Sequence, residues 1–142
     1  MRASTTLLLA GVIALPLGLG VSRSSDLAVC QVTIKSPGGG QMVGPFTPVT
    51  GTVSARAAAA GDGTVFVVIH PDKDYYHVAP VAHVSRDEWL SAAQFGIPAT
   101  PRGFHFEMRA FVAPATALKE GDRLSGFPDA ACASNLVHVL RD

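Results

Sequence analysis

Beyond residue 30 the chain alternates apolar and polar side chains in short runs, each cut off by glycine, proline or aspartate. Gln31-Val32-Thr33-Ile34-Lys35 has period two, the mark of a half-buried strand. Ser36-Pro37-Gly38-Gly39-Gly40 ends it, because proline lacks a donor and glycine accommodates any turn. Residues 47–55 put Val49 and Val53 on one face and Thr50, Thr52 and Ser54 on the other. Thr64-Val65-Phe66-Val67-Val68-Ile69 is apolar on both faces, which predicts a central strand covered on both sides.

The rest of the chain continues in the same manner. Asp72-Lys73-Asp74 predicts a turn into a strand at residues 75–78, and over residues 89–95 Trp89, Ala93 and Phe95 share a face. Residues 103–113 carry the clearest alternation. Phe104, Phe106, Met108, Ala110 and Val112 point one way and His105, Glu107 and Arg109 the other, with Phe111 alone breaking the polar side. Pro114 stops this strand. Residues 115–119 suit one helical turn closed by Gly121, and a last strand is expected over 135–141. The alanine-rich residues 56–63 form a connection too short to nucleate a helix. About seven strands separated by turn residues, with no long helical period, predict an all-β, two-sheet antiparallel sandwich.

Composition agrees with that class. The chain has 142 residues, enough for one domain, with 15% charged side chains, 14 glycines and 10 prolines. A typical soluble domain carries about 25% charge. The formal net charge is zero, and Arg2 and Arg23 lie in or beside the N-terminal apolar segment, so the remainder is slightly acidic. Nucleic-acid binding needs clustered lysine and arginine to neutralise phosphates, and no such footprint is present.

Residues 1–24 read as a signal peptide and residues 25–142 as the mature domain. Arg2 supplies the positive end, an apolar run follows, and Gly18, Gly20, Ser22 and Ser24 provide small residues for cleavage. The run is about 15 residues, short of the roughly 20 that span a bilayer. Two other fates are compatible with the segment: retention as an anchor, and lipid attachment at Cys30 after Leu27-Ala28-Val29, where Val29 is bulkier than such a signal prefers. The expected location is periplasmic, extracellular or cell-surface, with membrane contact only through an uncleaved leader.

Export changes the meaning of the two cysteines. In an oxidising compartment an even pair is expected to bond. Cys30 precedes the first predicted strand and Cys132 the last. A sandwich whose first and last strands run side by side brings their starting ends together, so a Cys30–Cys132 disulfide is expected. A reactive thiol needs an electropositive neighbourhood, and no cation lies close to Cys132 in sequence.

The order of motifs resembles a bacterial immunoglobulin-like sandwich of exported and cell-surface proteins. The matching stretches are Val32-Thr33-Ile34 with Ser36-Pro37-Gly38, Val49-Thr50-Gly51-Thr52, Val65-Phe66-Val67-Val68-Ile69-His70-Pro71, Trp89 with Phe95-Gly96, and Phe104-x-Phe106-x-Met108-x-Ala110. The resemblance spans most of residues 32–139 and implies an accessory, adhesive or spacer module without catalysis or cofactor.

The candidate chemistry is thin. His70, Asp72, Asp74, His77 and His83 gather in one stretch, and a small metal-binding protein or metal-dependent enzyme using His70, His77 and His83 is the alternative reading. Its spacing is poor, because His70 ends one strand and His77 lies on the next. Asp72 and Asp74 supply too few oxygens for calcium. No Gly-x-Ser-x-Gly elbow is present, Asp87 and Glu88 point to opposite sides of a strand, and Gly38-Gly39-Gly40 lacks the lysine and helix of a phosphate loop. Tyr75 and Tyr76 beside a loop are the candidate binding aromatics, and Trp89 is expected in the core. The expected function is a non-catalytic binding or structural module whose partner is a protein or glycan of the envelope.

Overall fold

The computed structural model describes residues 30–54, 63–130 and 132–142. The leader, the alanine-rich connection and their predicted structure lie outside these residues. Among the described residues the fold is all-β, with eleven strands in chain order: β1 (Val32–Ser36), β2 (Met42–Val43), β3 (Val49–Val53), β4 (Thr64–Pro71), β5 (Tyr76–Val78), β6 (His83–Ser85), β7 (Glu88–Ser91), β8 (His105–Ala113), β9 (Arg123–Leu124), β10 (Cys132–Ala133) and β11 (Val137–Arg141). The seven expected runs are all here. β2, β6, β9 and β10 are additional, and at two or three residues each they are too short to show an alternation. In place of the helical turn expected over residues 115–119, residues 114–117 form a turn closed by the Ala117 N–H donating to the Pro114 carbonyl at 2.9 Å.

Two sheets form. One has four strands in the order β1-β3-β7-β6; the other runs β2-β11-β8-β4-β5-β9, with β10 also paired to β8. Neighbours are antiparallel except β2 and β11, which are parallel. The first segment therefore serves both sheets: β1 pairs with β3, and after Ser36-Pro37 the chain crosses so that β2 pairs with β11. β10 and β11 are two pieces of one strand position beside β8. At the break between them the Ser134 hydroxyl accepts the Ala110 N–H and donates to the Asn135 carbonyl, both at 2.8 Å, so a side chain takes over bonds that the interrupted ladder would have made.

The sheets face each other across one core. Val32, Val49, Val53 and Trp89 of the first meet Val65, Val67, Ile69, Phe106, Met108, Ala110 and Val139 of the second. The inward residues of β8 are those the alternation selected. Phe66, Val68 and Phe111 point to the other side of the seven-stranded sheet, where Leu118, Leu124 and Phe127 from the 114–130 connection cover them. That second layer explains why β4 is apolar on both faces and why Phe111 departs from the polar stripe. Leu118, Leu124 and Phe127 are themselves only partly buried, so each contributes less than the about 1.5–3 kcal/mol of a fully buried large apolar side chain.

Cys30 and Cys132 are bonded, with Cα atoms 5.6 Å apart and a separation of 102 positions in the sequence. Close by, the Asn135 carboxamide oxygen accepts the Ile34 N–H at 3.1 Å. These two links fasten the four-stranded sheet to the β10–β11 strand at one end of the sandwich. A disulfide of this kind fits an oxidising compartment, extracellular or periplasmic.

Candidate functional site

At the end of the sandwich opposite the bridge the two sheets leave a groove of about 710 Å³. Along β8 the bridge lies beside Val112 and the groove beside Phe106, six residues and so about 20 Å apart at strand rise. Ile69 and Pro71 from the end of β4, Phe104 just before β8 and Phe106 within it, and Ala79 with Pro80 form apolar walls. Phe46, from the β2–β3 connection, and Ile97, from the β7–β8 connection, stand at the rim, 73% and 58% exposed.

These exposed side chains sit on a fixed backbone. Phe95 N–H donates to the Pro45 carbonyl at 2.8 Å, joining the two rim segments. Ile97 N–H donates to the Thr100 hydroxyl, and Thr100 N–H returns a bond to the Ile97 carbonyl, both at 2.9 Å. Gly96 makes the turn at φ +76°, and a Cβ there would strike the Thr100 side chain. Beneath, the buried Arg141 guanidinium donates from Nη1 to the Phe95 and Ile97 carbonyls at 3.2 and 2.8 Å, and its Nε lies 3.7 Å from the Asp142 carboxylate. A charged donor holding two backbone carbonyls is a strong fastening. An apolar side chain exposed on such a loop is presented from a fixed backbone, which reduces the backbone ordering that binding must supply.

The polar lining is small. Asp74 accepts the Tyr75 N–H on Oδ1 at 2.6 Å, and its Oδ2 is 3.4 Å from His77 Nε2. The Tyr75 N–H, helped by His77 and Arg123 against an opposing contribution from desolvation, holds the Asp74 carboxyl below the usual aspartate range. Gln94, Thr100 and Glu120 complete the polar contribution.

The remaining candidates are placed elsewhere. His77 is opposite Ile69 in register and shares its groove-side face, so His70, the next residue along β4, points to the outer face. There His70 Nδ1 lies 2.7 Å from Glu107 Oε1, and His138 Nδ1 is 3.9 Å from Glu107 Oε2. β4 and β11 flank β8, so the two imidazoles approach one carboxylate from opposite sides, a hydrogen-bonding arrangement and not a chelating one. His83 is exposed on β6 of the other sheet. The structure does not bring His70, His77 and His83 together, and no group of three or more metal-ligating side chains converges among the described residues.

Tyr76 stacks on the His70 ring, centroids 3.8 Å apart, and meets Phe127 edge-on at 4.8 Å, so it belongs to the outer apolar layer. Tyr75 is 58% exposed beside Asp74. Asp72 is exposed at the turn where Lys73 adopts φ 60°. Glu88 pairs with Lys35 at 3.6 Å on the outer face of the four-stranded sheet. Trp89 is buried and donates from Nε1 to the Thr52 carbonyl at 3.1 Å.

Sequence reasoning missed Phe46, Ile97 and Glu120. A signal existed for the first two. Phe46 sits in Pro45-Phe46-Thr47-Pro48 and Ile97 precedes Pro98, and an apolar residue hemmed by prolines cannot lie in a central strand. It is therefore displayed on a loop. No protein-family model, no curated protein and no solved structure matches this chain.

Proposed function

We propose that the chain is an exported, immunoglobulin-like binding module without catalytic activity, which receives a partner of the envelope or extracellular space in the groove beside Phe46 and Ile97. The observation that carries the reading is the pair of exposed apolar side chains held on hydrogen-bonded loops over a groove of about 710 Å³, within the range of about 300–1,000 Å³ usual for ligand sites.

Strand order supports the immunoglobulin-like part. β1-β3-β7-β6 corresponds to strands A-B-E-D of that fold, and β11-β8-β4-β5 to G-F-C-C′. The bridge departs from the antibody pattern: it joins the first strand position to the last, whereas antibody domains bond B to F. The disulfide supports export, together with the signal-like residues 1–24. The chain before Cys30 leads into the domain at the bridge end, so attachment through that segment leaves the groove facing outward. Binding is favoured over catalysis because the lining is mostly apolar and the Asp74 carboxylate already accepts the Tyr75 N–H. The Thr100 hydroxyl already accepts the Ile97 N–H.

The test is surface plasmon resonance on immobilised envelope extract from the producing cell. Phe46→Asp with Ile97→Asp should abolish binding, whereas Leu90→Asp, an exposed change on the outer face of the four-stranded sheet, should not. Equal binding by the two variants contradicts the reading.

A further inference from the structure

We infer that the groove takes a short peptide segment of a partner protein carrying a lysine or arginine flanked by apolar side chains; this rests on the groove being the binding site. The chemistry of the lining points there. Its walls are apolar, and its two carboxylates, Asp74 and Glu120, are unaccompanied by any lysine or arginine among the described lining residues. Both carboxylates are exposed, and charges of one sign beside apolar walls favour a ligand of the opposite sign.

The acceptors have capacity to spare. A carboxylate offers about four lone-pair sites. Asp74 uses Oδ1 for the Tyr75 N–H, while Oδ2 is 3.4 Å from His77 Nε2, longer than a good N–H···O bond. Glu120 makes no ion pair with another described residue. Arg123 on β9 is opposite His77 in register and so on the same face, near enough to favour the charged form of Asp74, though it is not among the residues lining the groove. An ammonium or guanidinium therefore finds acceptors, an anion finds repulsion, and a neutral polar group finds no comparable gain.

A peptide suits the surroundings better than an isolated small cation, because the apolar surface continues past the opening. Phe46 and Ile97 stand at the rim, and Tyr75, 58% exposed, follows Asp74 directly in the chain. Side chains flanking the cation have these rings and the isoleucine to cover. A lysine stem is itself apolar and packs along such walls with its charge at the acidic groups.

The experiment follows backbone amide shifts of the isotopically labelled, oxidised protein as it is titrated with three peptides: Ac-Leu-Lys-Leu-NH2, the same peptide with norleucine for lysine, and the same with glutamate. The lysine peptide should move amides of residues 74–78, 94–97 and 120–121, and bind about five- to tenfold more tightly than the norleucine peptide. The glutamate peptide should leave those amides unmoved. In Asp74→Asn with Glu120→Gln, whose amides keep the side-chain shape, the gap between lysine and norleucine should close. Equal affinity for the lysine and norleucine peptides overturns the cation preference while leaving the groove an apolar binding site. Silence at these amides with all three peptides overturns the peptide inference, and the Phe46 and Ile97 variants then decide separately whether the groove is a partner site.

Discussion

Gly51→Ala is the sharpest test of how the two sheets fit. Gly51 lies on β3 directly opposite Trp89 of β7, on the core face between Val49 and Val53. A Cβ at this position would lie 2.5 Å from Trp89 Cζ2 and closer still to the Thr33 carbonyl oxygen. Real Cβ atoms do not make such contacts, and neither neighbour is the free end of a flexible chain. The indole occupies the volume a side chain at 51 would need, and a strand glycine commonly marks such close approach. Overpacking a tight core costs typically 1–3 kcal/mol, and displacing the ring also forfeits about 1 kcal/mol from the Trp89–Thr52 bond, so a loss of about 2–4 kcal/mol is expected. Guanidinium denaturation followed by fluorescence measures it directly, because Trp89 is the only tryptophan in the chain. The folded variant should also emit at longer wavelength as the indole is pushed toward water. Unchanged stability and emission would refute the packing described for this face.

Three further outcomes are expected. Arg141→Met keeps the apolar stem but removes the donor to the Phe95 and Ile97 carbonyls; it should cost about 2–4 kcal/mol and speed amide exchange at Ile97 and Thr100, and unchanged exchange would show that the rim is held by other means. Reducing the bridge, or Cys30→Ser with Cys132→Ser, should lower stability by about 2–5 kcal/mol, while oxidised denatured protein takes up no thiol label; stoichiometric labelling contradicts the bond. Asp74 ionises below the ordinary aspartate range in the folded chain, so its contribution to stability is present above the unfolded value and is lost as pH falls through the folded one. Carboxyl carbon resonances should place its midpoint below that of the unfolded chain, and a midpoint at or above it removes the Tyr75 N–H as the cause.

What the sequence discloses depends on the length over which a residue pattern repeats. The nine residues of β8 and the eight of β4 are long enough for alternation, or its absence, to be read, and their burial follows that pattern. Trp89, Ala93 and Phe95 likewise share the core as their spacing implies. β2 and β9, at two residues each, are set by partners far along the chain and have no local signature. The 114–130 segment reads as a loop because its apolar residues have neither period, yet Leu118, Leu124 and Phe127 cover a sheet face. The groove was the least legible feature. It is assembled from five separate stretches, and the histidines that drew attention as a cluster divide between two faces of one sheet and the edge of the other, since neighbouring strand residues point to opposite sides.

The central claim, that partners meet this domain at the Phe46–Ile97 end, is tested most directly by photocrosslinking in the producing cell. A benzophenone side chain is placed at position 97 in one version of the protein and at position 83, on the edge of the four-stranded sheet, in another. Discrete adducts from position 97 that vanish with Phe46→Asp, and none from position 83, are the predicted result. Adducts from position 83 alone, or from both positions and indifferent to Phe46→Asp, would contradict it.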